Sequence, residues 1–165
     1  MITEIRCLSI CAALTLAACG QPGTVVTQTE ADDEVLPATE SAKVFGDYVL
    51  YFNAVPTDVL DADIAAEYQI VRSKNRVLLN IVMEYRPAIG LPTVVRGRVV
   101  ASATNLNGQL RNLLTREINE GEAIYYIAET QVVNGENLIF MIEATPESTT
   151  TPLEVRFQKQ FFVDE

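Results

Sequence analysis

Between Thr93 and Thr104 the chain alternates with a period of two. Val95, Gly97, Val99, Ala101 and Ala103 fall on one side, and Val94, Arg96, Arg98, Val100 and Ser102 on the other. That period belongs to a half-buried β-strand; an amphipathic helix repeats every 3.6 residues. Tyr48, Leu50, Phe52 and Ala54 repeat the pattern, and so do Leu153, Val155, Phe157, Phe161 and Val163 near the end of the chain. Val77–Met83 is more densely apolar and suits a central strand covered on both faces. Pro87 and Pro92 bound a break in which proline removes ladder donors. The remaining runs, Gln109–Ile118, Ala123–Val133 and Asn137–Thr145, are set off by Asn107-Gly108, Glu120-Gly121 and Asn134-Gly135. Asn-Gly is the preferred pair of two-residue hairpins. The expected fold is therefore all-β: a sandwich of about seven strands, or a small closed barrel, over residues 44–165. A domain of this size buries enough surface to need no disulfide.

One segment breaks the period. Leu60, Ile64 and Tyr68 are spaced by four, which predicts a short helix with those residues facing the sheets and Thr57 as its N-cap. Asp58, Asp61, Asp63 and Glu67 fill the polar side. The glycine and remaining ligands of a calcium loop are missing, so the aspartates are read as partners of the helix dipole.

Ahead of Val44 the composition changes. Arg6 precedes an apolar run from Cys7 to Ala18, the length of a signal-peptide core and too short to span a bilayer. The run ends in Leu16-Ala17-Ala18-Cys19-Gly20, which resembles the lipobox of bacterial lipoproteins. The resemblance implies cleavage before Cys19 and acylation of its thiol and new amino terminus. Cys7 and Cys11 would leave with residues 1–18, so Cys19 would be the sole mature cysteine, and several acyl chains make a durable anchor. Gly20 in place of an aspartate points to the outer membrane, facing the periplasm, by the sorting behaviour of the class. Residues 19–43, with Glu30, Asp32, Asp33, Glu34 and Glu40 against Lys43, read as an acidic flexible linker.

Charge and residue types remove whole classes of function. With 12 Lys+Arg against 22 Asp+Glu the net charge is −10, which excludes nucleic acid as a partner. The chain has no histidine, so it holds no Ser-His-Asp or Cys-His centre and no imidazole metal ligand. No metal site or cofactor is expected. The conspicuous cluster is basic: Arg72, Lys74 and Arg76 enter the densest strand, and Arg96 and Arg98 share a face of the next. Such a surface suits an acidic protein or anionic ligand. The same cations could instead pair with Glu84, Glu117 or Glu129 across neighbouring strands. Within Tyr125-Tyr126 and Phe161-Phe162 the two rings must point opposite ways, so one of each pair lies outside the main core.

The segments Phe45-Gly46-Asp47-Tyr48, Ile70 to Arg76 leading to Leu79-Asn80, Ala103 to Leu110, and Ala123 to Tyr126 carry a further likeness. Together they resemble a family of small exported gammaproteobacterial proteins, domain of unknown function 4426. The resemblance spans most of Val44 to Glu165 and implies an immunoglobulin-like antiparallel β-sandwich; it brings no activity with it. The sequence thus reads as a lipid-anchored envelope protein whose β-sandwich is a binding or scaffolding module rather than an enzyme. The alternatives are a small-ligand or lipid carrier with an apolar cavity inside a barrel, and a carboxylate-based envelope glycan hydrolase.

Overall fold

The alternating runs become strands, and the strands divide between two sheets. The computed structural model describes residues 34–163. The expected signal segment, Cys19 and the linker as far as residue 33 lie outside the described residues. In chain order the elements are β1 (Val35–Leu36), β2 (Ala42–Phe45), β3 (Tyr48–Pro56), a 3-10 turn (Thr57–Val59), α1 (Ala62–Glu67) and β4 (Arg76–Tyr85). Then follow β5 (Thr93–Val94), β6 (Gly97–Asn105), β7 (Leu110–Leu113), β8 (Arg116–Asn119), β9 (Ile124–Gln131), β10 (Glu136–Pro146) and β11 (Leu153–Phe161).

One sheet has the order β1-β11-β10-β6-β7; the other has β2-β3-β4-β9-β8, with β5 pairing a free stretch of β4. Pairing is antiparallel except between β1 and β11. This is the all-β sandwich that the period of two predicts. Its inner faces meet in a core of Leu50, Phe52, Leu79, Ile81, Leu138, Phe140, Ile142 and Phe157. Phe157 joins the layers: its ring centroid lies 4.8 Å from Phe52 of the opposite sheet and 4.9 Å from Phe140 beside it. Full burial of each large side chain contributes about 1.5–3 kcal/mol. The interior is therefore filled by side chains, and the barrel cavity of the carrier alternative does not form.

Several expectations change in detail. Thr93–Thr104 is not one strand: Val95 N–H still bonds Met83 O of the second sheet, whereas Glu147 N–H bonds Arg96 O from the first. The chain changes sheets at this point, and Gly97 makes the crossing possible. A Cβ there would lie 2.2 Å from Thr145 O, inside any allowed contact. Gln109–Ile118 divides likewise into β7 of the first sheet and β8 of the second, with Thr115 Oγ1 donating to Val99 O at 2.8 Å across the step. Alternation survives a change of sheet, because both pieces still present one face to the same core, so the period cannot reveal it.

Asn107-Gly108 and Glu120-Gly121 close hairpins, as expected. Asn134-Gly135 instead links β9 to β10, which lie in different sheets. All three glycines have φ between +75° and +80°, so the local turn chemistry is the same while its setting differs. The helix begins four residues later than predicted: Asp61 is its N-cap, Oδ1 accepting from Asp63 N–H at 2.9 Å and Ile64 N–H at 3.3 Å. Thr57 is buried instead, its Oγ1 accepting from Ser73 N–H and facing Val71 O, both at 2.9 Å. Residues 35–36 and 42–43, assigned to the linker, are in strands. Their order comes from main-chain bonds to existing sheet edges, which composition does not display.

Candidate functional site

The five cations singled out from sequence are not brought together. Arg72 and Lys74 lie on the exposed loop ahead of β4, where Arg72 Nη2 donates to Asp58 O at 2.7 Å. Arg76 opens β4 and pairs with Glu129 of the adjacent strand at 3.2 Å. Arg96 sits at the sheet crossing, seven residues further along β4 by the Val95–Met83 bond, about 23 Å away at 3.3 Å per residue. It pairs with Glu117 at 2.9 Å. Arg98 is exposed on the outer face of the other sheet, opposite Thr145. Arg76 and Arg96 thus take the cross-strand partners that the sequence offered, and exposed pairs of this kind contribute roughly 0–1 kcal/mol each.

Around Arg96 the polar groups form a small network. Tyr126 Oη accepts from Gly97 N–H at 2.9 Å and bonds Glu117 at 3.1 Å. Burial pushes the Tyr126 hydroxyl pKa up, opposed by the Gly97 bond and by Arg96 and reinforced by Glu117. A second network closes the other end of the sandwich. Burial alone would raise the Glu136 carboxyl, but the Val133 N–H, Asn105 and Arg111 outweigh it and hold it below the ordinary value. Lys159 faces inward on β11, and burial lowers its pKa. These groups tie strands together, and Asn105, Arg111 and Glu136 also line an open, more polar depression of about 430 Å³.

A predominantly apolar depression lies on the outer face of the second sheet. Leu78 and Ile127 are buried there with Ala65 and Ile70, forming an apolar cluster separate from the core between the sheets. α1 lies over them, its last carbonyls held down by Arg116 Nη2, which donates to Tyr68 O. The six-residue helix does not cover the whole cluster. A groove of about 330 Å³ remains, walled on one side by Leu60, Ile64 and Tyr68 and on the other by Ile118 and Tyr125. Leu78, Asn80 and Ile127 make its floor, and Glu120 stands at its rim. A helix facing side, as the four-residue spacing predicts, is thus half right: Leu60 and Tyr68 pack on the cluster, while Ile64 remains 46% exposed at the opening.

Asn80 is the polar exception in the floor. Its Oδ1 is buried and has no hydrogen-bond partner among the described residues. Sequence reasoning did not select Asn80, Glu120, Tyr125 or Ile127 as site residues. The available signal was the density of Val77–Met83, whose two apolar faces require a second layer, together with the adjacent tyrosines of β9. Tyr126 points into the core and Tyr125 into the groove, as their adjacency demands.

Comparison with known proteins bears on the same residues. The sequence family described as domain of unknown function DUF4426 matches residues 42–164. A DUF4426 family protein from Pseudomonas aeruginosa PAO1, known from its crystal structure, is 27% identical. The match covers 75% of this chain and 95% of that one, with a TM-score of 0.64. FetP of uropathogenic Escherichia coli strain F11, recombinantly expressed in the periplasm, is 11% identical over 75% of this chain and 94% of its own. Its TM-score of 0.54 marks a shared fold. No protein of curated function matches the sequence. With three-quarters of its residues inside the family match and the sandwich shared with a solved member, the chain belongs to the DUF4426 family.

Proposed function

We propose that this chain is a lipid-anchored module of the bacterial cell envelope that binds a small apolar molecule in the groove beneath α1. The groove carries the reading: a preformed concave site at the low end of the roughly 300–1,000 Å³ that small-molecule sites occupy, apolar in its walls, with few polar groups. The anchor rests on Leu16–Cys19, with Cys19 acylated and the domain tethered at the outer membrane facing the periplasm. A binding role also suits a chain without histidine.

The test uses protein purified from envelopes without detergent, examined by native mass spectrometry. A small molecule bound one-to-one in the parent and absent from Ile64→Arg, whose long side chain would cross the opening, is the expected result. Parent protein with no bound small molecule, or one retained by Ile64→Arg, would count against the groove. Loss of membrane association in Cys19→Ser tests the anchor separately.

A further inference from the structure

The groove selects by charge as well as by shape. Among the described residues Glu120 is the only acidic or basic side chain lining it, and it has no ion-pair partner there. The turn that carries it adds Glu122, and the exposed side of α1 adds Asp61, Asp63 and Glu67. Of the cations on the same sheet face, Arg116 is directed at Tyr68 O and Arg76 pairs with Glu129, and neither lines the space. The mouth therefore lies in a negative field.

Inside, the polar group left over is an acceptor. Asn80 stands between Leu78 and Val82 on the outer row of β4, bordering both this groove and a smaller depression beside Tyr51, and its solvent-shielded Oδ1 has no donor among the described residues. A buried acceptor without a donor costs roughly 1–3 kcal/mol, and a ligand N–H in the groove, met by a turn of the Asn80 amide, would supply one. The rings of Tyr68 and Tyr125 flank the same space, and aromatic faces attract an ammonium group.

We infer that the groove takes a small primary amine: an apolar body of about one aromatic ring, with an ammonium group that meets Glu120 and Asn80. This rests on the groove reading above and adds the ligand's chemistry to it. It also runs opposite to the anionic ligand that the basic residues suggested.

Three probes of similar size separate the two claims: 2-phenylethylamine, 2-phenylethanol and 3-phenylpropionate. Each is titrated into the ¹⁵N-labelled full chain carrying Cys19→Ser, so that no acyl chain competes for the groove. The expected result is shifts at Tyr68, Leu78 and Ile127, with the amine about tenfold tighter than the carboxylate. Glu120→Gln should bring amine and alcohol to nearly equal affinity, and Asn80→Leu should weaken the amine more than the alcohol. Glu154→Gln, on the other sheet, should change nothing.

If the three probes bind alike, or the carboxylate binds tightest, the amine inference is overturned and the groove reading stands. An amine preference that survives both Glu120→Gln and Asn80→Leu also overturns it. If no probe shifts Tyr68, Leu78 or Ile127, both readings fall.

Discussion

Phe52, Phe140 and Phe157 are at most 2% exposed between the sheets, whereas Ile64 keeps nearly half its surface over the outer cluster of Leu78 and Ile127. Both regions are apolar, and both rest on β4, whose residues alternate between them. They differ in what closes them. The inner cluster is covered by a whole second sheet, whose side chains interdigitate at crystal-like density. The outer cluster is covered by a 3-10 turn and six residues of helix, too short to reach across the sheet face. A layer that fills its space stabilises the fold; one that stops short leaves room for something else. On this comparison stability should depend on the inner layer and binding on the outer one.

The largest effect belongs to the inner layer. Phe157→Ala removes the ring shared by both sheets and should cost about 3–5 kcal/mol in urea or guanidinium unfolding. A loss below 1 kcal/mol would show that the layers are not held together there. Gly97→Ala comes next, about 1–3 kcal/mol, because its methyl group meets the Thr145 carbonyl where the chain changes sheets. Thermal unfolding would detect the shift. Asp61→Ala removes the side-chain N-cap of α1 and should cost ~1 kcal/mol. Hydrogen exchange should place that loss in residues 62–68 and leave β10 unchanged.

A pH effect sharpens the contrast at the end of the inner layer. Glu136 titrates lower in the folded chain than the ordinary glutamate value of about 4.3. Its contribution is therefore complete above that value and is lost as pH falls through the folded pKa. Urea midpoints should fall below about pH 4.3 in the parent, with part of the fall removed by Glu136→Gln. The smallest effect is expected from Ile64→Ser, within about 0.5 kcal/mol of the parent, because half of that side chain already meets water. A cost comparable to that of Asp61→Ala would mean that the outer cluster is a sealed core after all.

Much of the fold was legible because strand burial writes its period into the chain. Tyr48 to Ala54 and Leu153 to Val163 were read correctly from their alternation, and so was the opposite orientation of Tyr125 and Tyr126. The two sheet crossings were not, since a strand that changes sheets keeps its inward face inward. Thr57 and Asp61 show the same limit at shorter range: both are good caps by residue type, and the bond to Ser73 N–H, sixteen residues away, decides between them. The candidate site was the least legible part. Arg72, Lys74, Arg76, Arg96 and Arg98 are close in sequence or strand position and so invited a single surface, yet the crossing at Gly97 separates them. Asn80, an ordinary polar residue in an apolar run, gave no sign of its unpartnered oxygen.

By itself the sequence determined that this chain builds an all-β domain, since residue period and turn chemistry are local properties that every strand carries with it. It also carried Leu16–Cys19, the four residues on which the proposed lipid anchor rests. Only the tertiary structure decided which strands share a sheet, which carboxylate each arginine meets, and how much of the outer cluster α1 leaves open. Those outcomes depend on distances between segments far apart along the chain, and such distances exist only once the two sheets have packed.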